Sequence, residues 1–89
     1  MTTKDEIENW FDAGAGGGYK FLMVYCDTYD YSDYPVYVKS ADTFWEKHDD
    51  PMYTAKNMQK LVEVYDLSLD KETQMEERCA YHPPARPTS

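Results

Sequence analysis

The feature that most constrains the fold is the strand-forming stretch at residues 19–38, YKFLMVYCDTYDYSDYPVYV. Successive side chains of a strand point to opposite faces, so Phe21, Met23 and Tyr25 would share one face and residues 22, 24 and 26 the other. Both sets are apolar. The stretch therefore predicts a strand buried on both sides, either within its own chain or against a partner chain.

The residues after this strand predict a β-hairpin. Residues 27–34 are rich in Asp, Ser and Tyr, which are typical of turns, and no Asn-Gly or Asp-Gly pair indicates a tight two-residue turn. A short second strand is predicted near residues 35–39. Pro35 should lie at its start or on a sheet edge, because proline has no amide hydrogen for a sheet ladder.

Short helices are predicted on either side of the hairpin. The first covers residues 4–12, starts at the capping-box sequence Thr3-Lys4-Asp5-Glu6 and ends in the glycine-rich run at residues 14–18. The second begins after Ser40 as N-cap and ends near residue 48. A further turn would start with Asp50 as cap and a proline in the first helical position.

The main helix is predicted over residues 54–65, because Met58, Leu61, Val62 and Tyr65 recur at i, i+3, i+4 and i+7. A more polar helix is predicted over residues 71–79, with Asp70 as its cap.

The order of these elements predicts an α+β fold, in which a small antiparallel β-hairpin or sheet packs against three to four short helices. Residues 1–80 would form the single domain, and residues 81–89, with three prolines, a flexible tail. Two strands make a poor sheet on their own. The sequence therefore predicts either a third strand or a homodimer whose protomers join sheet edges.

The charge of the chain restricts its partners. Seventeen acidic against nine basic residues give a net charge of −8, which opposes direct binding to nucleic-acid phosphates and favours a partner with a basic surface. The N-terminal residues are too polar for a signal peptide, and the longest apolar run, residues 21–26, is too short to span a bilayer. We expect a cytoplasmic protein that does not bind membranes.

The hairpin loop is the predicted binding site. Tyrosine is favoured at protein interfaces because it offers a large apolar area with a polar end. The predicted partner-binding residues are Asp27, Tyr29, Asp30, Tyr31, Asp33 and Tyr34. The alternative is a small metal- or ligand-binding domain, because three loop carboxylates could hold Ca²⁺ or Mg²⁺. The ligand spacing of an EF-hand is absent.

Motifs for catalysis or cofactor binding are absent from the sequence. The glycine run lacks the GxGxxG spacing and precedes a strand, whereas a dinucleotide-binding loop follows one. The thiols and imidazoles are Cys26, Cys79, His48 and His82, without a CxxC or HxxxH pair to indicate zinc. We expect no cofactor, no metal and no enzymatic activity.

Two segments carry a resemblance to a known group of proteins. MVYCDTYDYSDYPVYV at residues 23–38 and NMQKLVEVYDLSLDKETQM at residues 57–75 resemble small uncharacterised proteins of bacterial and phage genomes. In those proteins a VCDTFD-like strand leads into a DYPVYV strand, and an MQxVMEVYDL-like helix follows. The resemblance implies that hairpin and helix form one unit, and that the chain has a phage or prophage origin. It implies no activity or cofactor.

The function predicted from these features is that of a small acidic interaction protein, phage-encoded, which modulates or inhibits a host protein. Mimicry of nucleic acid by the carboxylates is a special case of this function. It is less favoured, because the acidic residues are spread over the whole chain as on an ordinary solvated surface.

Overall fold

A computed structural model describes residues 3–77 and 80–85, apart from the side chain of residue 55. Its helices are α1 (Lys4–Gly16), α2 (Ala41–Asp49) and α3 (Lys71–Glu76), and its strands are β1 (Phe21–Asp27), β2 (Ser32–Val38) and β3 (Gln59–Asp66). Two 3-10 turns, Pro51–Tyr53 and Ala55–Asn57, lie between α2 and β3. The strands form one antiparallel sheet in the order β2-β1-β3. The predicted α+β class is confirmed.

The central strand, β1, is buried on both faces by its own chain, as its two apolar faces predicted. On one face Leu22 and Val24 pack in a cluster with Phe11 of α1 and Met75 of α3. On the other face Met23 and Tyr25 pack in a second cluster; Phe44 of α2 also belongs to it. The helices therefore cover both faces of the sheet, and a partner chain is not needed to bury β1.

The predicted helix at residues 54–65 is wrong, because its apolar residues belong to β3. Val24 pairs with Glu63 and Tyr25 pairs with Leu61, which leaves Val62 as the extra residue of a β-bulge. The bulge places Leu61 in the α2-side cluster and Val62 beside the α1-side cluster. A strand with two buried faces and one bulge thus has the same apolar spacing as one face of a helix.

The predicted hairpin is confirmed, with longer strands and a shorter turn than expected. β1 and β2 pair from Phe21–Val38 to Asp27–Ser32, so the turn is residues 28–31. Pro35 pairs with Val24 on the edge strand β2, where a missing amide hydrogen is tolerated.

Helix α1 begins at the predicted cap and ends later than predicted. The Glu6 amide donates to Thr3 Oγ1 at 3.2 Å. The helix continues through two glycines to Gly16. Gly18 then has φ +81°, and the Tyr19 amide donates to the Gly14 carbonyl at 3.0 Å. This Schellman-type ending reverses the chain into β1.

The other predicted caps are also confirmed. Ser40 Oγ accepts the Thr43 amide at 3.1 Å to start α2, and Asp50 Oδ1 accepts the Met52 amide at 2.9 Å to start the first 3-10 turn. Asp70 caps α3. Among the helices of residues 3–77 and 80–85, none combines the length and apolar character needed to cross a bilayer.

The outer edge of β3 is closed by two groups from later in the chain. The Val64 amide donates to the Ala80 carbonyl at 2.9 Å, and the His82 amide donates to the Val64 carbonyl at 3.0 Å. The first two residues of the predicted flexible tail therefore lie beside β3, where Tyr81 forms a parallel bridge with Val64. Residues 86–89 and the predicted helical residues 78–79 lie outside the described residues.

Next to this bridge, the side chain of Gln74 takes the place of a neighbouring strand. Its Oε1 accepts the Asp66 amide at 2.8 Å, and its Nε2 donates to the Asp66 carbonyl at 2.9 Å and to the Asp70 carbonyl at 3.1 Å. Gln74 is buried and bonded through both ends of its amide, which removes the cost of burying it.

Candidate protein-interaction surface

The predicted binding residues lie together at one end of the sheet. We call this end the tip and define it as residues 27–34 with Met58. The hairpin turn is tied to the start of β3, because the Thr28 amide donates to the Met58 carbonyl at 2.6 Å and Thr28 Oγ1 donates to the same oxygen at 3.0 Å. The tip is therefore formed by two segments that are thirty residues apart in the sequence.

Two of the loop carboxylates shape the turn. Asp27 Oδ1 accepts the Tyr29 amide at 2.9 Å, and Asp30 Oδ1 accepts the Ser32 amide at 3.0 Å. The Asp27 carbonyl also accepts the Tyr31 amide at 2.7 Å, and Tyr31 has φ +59°. These local bonds hold the turn in one conformation, which lowers the entropy cost of binding a partner.

Three large side chains at the tip are exposed to solvent. Tyr29 is 79% exposed, Tyr31 76% and Met58 51%. Neither tyrosine has a ring contact among the described residues. Exposed apolar side chains grouped on one surface indicate an interaction site.

Two of the six predicted residues, Asp33 and Tyr34, are half-buried and pack against the rest of the protein. Tyr34 is half-buried, its hydroxyl donates to Gln59 Oε1, and its ring stacks on Tyr25 with 6.0 Å between ring centres. Burial raises the pKa of the Tyr34 hydroxyl. Asp33 is also half-buried. Burial, and then the neighbouring Asp33 carboxyl group, raise the pKa of the Cys26 thiol.

Sequence reasoning missed Met58. Its spacing fits the apolar face of the wrongly predicted helix, whereas the structure places it in a turn with φ +60°. Nothing in the local sequence distinguishes the two cases, because the position of Met58 depends on the pairing of β1 with β3 and on the bonds from Thr28 to the Met58 carbonyl.

Sequence reasoning also missed the environment of Tyr25, which lies under the tip. Its side chain is only 1% exposed, and its hydroxyl is buried without a hydrogen-bond partner within the described residues. The rings of Tyr34 and Tyr53 flank it, with centres 6.0 and 5.1 Å away. Burial, and then the neighbouring Tyr34, raise the pKa of the Tyr25 hydroxyl well above its usual value.

The thiols, imidazoles and carboxylates of residues 3–77 and 80–85 include no group of three that could hold a metal ion. Asp27 and Asp30 each use an oxygen on the backbone of the turn. His48 bonds to Asp49 at 2.9 Å, and His82 bonds to Glu77 at 2.8 Å. Cys79 lies outside the described residues.

The chain matches no protein-family model, no curated protein and no solved structure. The resemblance to small bacterial and phage proteins therefore stays a prediction.

Proposed function

We propose that this chain is a small acidic protein-interaction module whose tip binds a partner protein with a basic surface. The observation that supports this proposal best is the exposure of Tyr29, Tyr31 and Met58 on a turn held by side-chain hydrogen bonds. Burying these side chains against a partner would remove apolar area from water at a small cost in conformational entropy.

The charge of the molecule supports a basic partner. The net charge is −8, and Asp27, Asp30 and Asp33 lie in the same hairpin segment as the exposed tyrosines. Carboxylates placed around an apolar contact area steer a positively charged partner towards it and disfavour negatively charged ones.

The proposal is tested by affinity capture with a variant that changes charge and not shape. In Asp27→Asn/Asp30→Asn the side-chain oxygen that accepts the turn amide is retained, whereas the negative charge is lost. The control, Glu72→Gln/Glu76→Gln, removes two exposed charges from α3. This helix follows the last residue of β3, which pairs with Phe21 at the end of β1 opposite the turn.

Wild type and the α3 control should capture the same protein from a lysate, and the tip variant should capture much less of it at low salt. Equal capture by the tip variant would contradict the proposal. A high-salt wash should weaken the complex, since charge attraction between exposed groups is screened by ions.

We propose further that the partner is a host protein met in the cytoplasm, which the chain modulates or inhibits, and that the chain comes from a phage or prophage. These points depend on the resemblance and on the charge. Sequencing the captured protein tests them together: a host cytoplasmic protein would support them, and a secreted one would contradict the location.

The predicted homodimer also stays a prediction. The third strand and the covers on both faces of β1 come from the same chain, which removes the reason for expecting a second protomer. Light scattering at micromolar concentration distinguishes the two states, and a monomer mass would contradict the homodimer.

A further inference from the structure

We infer that the partner contacts the tip through arginine side chains, whose guanidinium groups lie on the rings of Tyr29 and Tyr31 and pair with the carboxylates beside them. This inference depends on the proposed function, because it names the partner chemistry of the same surface.

The ring faces of Tyr29 and Tyr31 are open to a cation. Neither ring contacts another ring or a cation within the described residues. Other tyrosines of the protein already carry a cation: Lys39 Nζ lies 5.2 Å from the ring centre of Tyr19, and Lys47 Nζ lies 5.5 Å from that of Tyr53. A partner would supply at the tip the contact that lysines supply elsewhere.

The side chains of Asp27 and Asp30 can each accept further hydrogen bonds. One oxygen of Asp27 and one of Asp30 accept turn amides, and the second oxygen of each has no partner among the described residues. A guanidinium can donate to a carboxylate and stack on an aromatic face with the same planar group, whereas a lysine ammonium acts as a point charge. The combination at the tip therefore favours arginine over lysine.

A second copy of the chain does not fit as the occupant. Each copy has a net charge of −8, so two tips would bring like charges together, which opposes association.

The inference is tested with two defined probes, nona-arginine and nona-lysine peptides, titrated into the ¹⁵N-labelled protein at low salt. The peptides carry equal charge. Nona-arginine should bind about two- to fivefold more tightly, which is the factor that one additional exposed cation–π contact would give. The amide shifts should centre on residues 28–31 and Met58.

Two variants separate the rings from the charge. Tyr29→Phe/Tyr31→Phe retains both rings and should retain the preference for arginine. Tyr29→Leu/Tyr31→Leu retains apolar area and charge but removes both rings, so its preference for nona-arginine should be clearly smaller than that of wild type, with only the carboxylate pairs left to favour arginine.

The remaining outcomes are distinguishable. Shifts at the tip with equal affinity for the two peptides, or no binding of either peptide, would overturn the arginine inference and leave a basic protein partner in place. A larger loss of binding in Glu72→Gln/Glu76→Gln than in Asp27→Asn/Asp30→Asn would overturn both the inference and the proposed function.

Discussion

At the scale of residues, the buried Tyr25 and the half-buried Tyr37 differ in what their hydroxyl groups contact. The Tyr37 hydroxyl donates to the Trp10 carbonyl at 2.9 Å and so links β2 to α1. The Tyr25 hydroxyl is buried without a partner among the described residues. A buried hydroxyl that makes no hydrogen bond has lost its bonds to water and gained nothing in return.

Replacing each tyrosine by phenylalanine should therefore have different effects. Tyr25→Phe should leave the free energy of unfolding unchanged or raise it by up to about 2 kcal/mol, because it removes an unsatisfied group. Tyr37→Phe should lower it by about 0.5–1.5 kcal/mol, because it breaks a hydrogen bond. Urea denaturation at pH 7 measures both. A larger loss for Tyr25→Phe than for Tyr37→Phe would show that the Tyr25 hydroxyl does have a partner.

The Tyr25 hydroxyl should also make the stability of the protein depend on pH. Because its pKa is raised in the folded state, the unfolded phenol ionises first as the pH rises through about 10. The folded protein then binds more protons than the unfolded one, and stability falls. Tyr25→Phe should lose less stability than wild type between about pH 9 and pH 11. Equal losses in urea titrations at the two pH values would contradict this reading.

At the scale of elements, the helix starts were predictable because a cap is a local interaction. Thr3, Ser40, Asp50 and Asp70 each accept an amide two or three residues later. The double burial of β1 was also predictable, since its two faces are apolar in any packing. The strand β3 was not predictable, because its bulge at Val62 gives its apolar residues the spacing of a helix face.

The packing of α1 against the sheet depends on Gly14. A Cβ at this position would lie 2.7 Å from the Tyr37 ring and 2.9 Å from Leu67 Cδ1. Gly14→Ala should therefore destabilise the protein by about 1–3 kcal/mol, because α1 or the ring must move. Gly16→Ala is the matched control, since nothing lies within 4 Å of its Cβ.

Gly16→Ala should leave stability unchanged or raise it by up to about 1 kcal/mol, through helix propensity. Thermal denaturation compares the two variants. Equal changes in stability for the two variants would show that α1 does not approach the Tyr37 ring closely at Gly14.

The closure of β3 by Gln74 gives a second test at this scale. Gln74→Ala would leave the Asp66 amide and carbonyl without their side-chain partner, which should cost about 2–4 kcal/mol. Glu76→Ala, an exposed change on the same helix, should stay within about 0.5 kcal/mol of wild type. Chemical denaturation separates them, and a small effect for Gln74→Ala would mean that water replaces its amide at this edge.

At the scale of the whole molecule, the sequence predicts the position of the candidate interaction surface. The alternation of Asp and Tyr at residues 27–34 located the tip, because a hairpin turn is a local structure. The contribution of Met58 could not be found, since it depends on pairing between segments thirty residues apart. The split between exposed Tyr29 and supporting Tyr34 likewise depends on how β3 and the 3-10 turns cover the sheet.

The tip is also distinguished from the other exposed apolar residues by its grouping. Met52, Leu69 and Tyr81 are exposed as well. Met52 lies in the first 3-10 turn, and Leu69 and Tyr81 lie after β3 and beside Val64, outside the hairpin turn. They provide an internal comparison for any binding experiment on the intact molecule.

The most direct measurement is therefore an amide-exchange footprint of the protein bound to its captured partner. We expect slowed exchange at residues 28–31 and at Met58 and its neighbours, with Leu69 and Tyr81 unchanged. Protection around Leu69 or Tyr81 while the tip exchanges as in the free protein would contradict the claim that the tip is the binding surface.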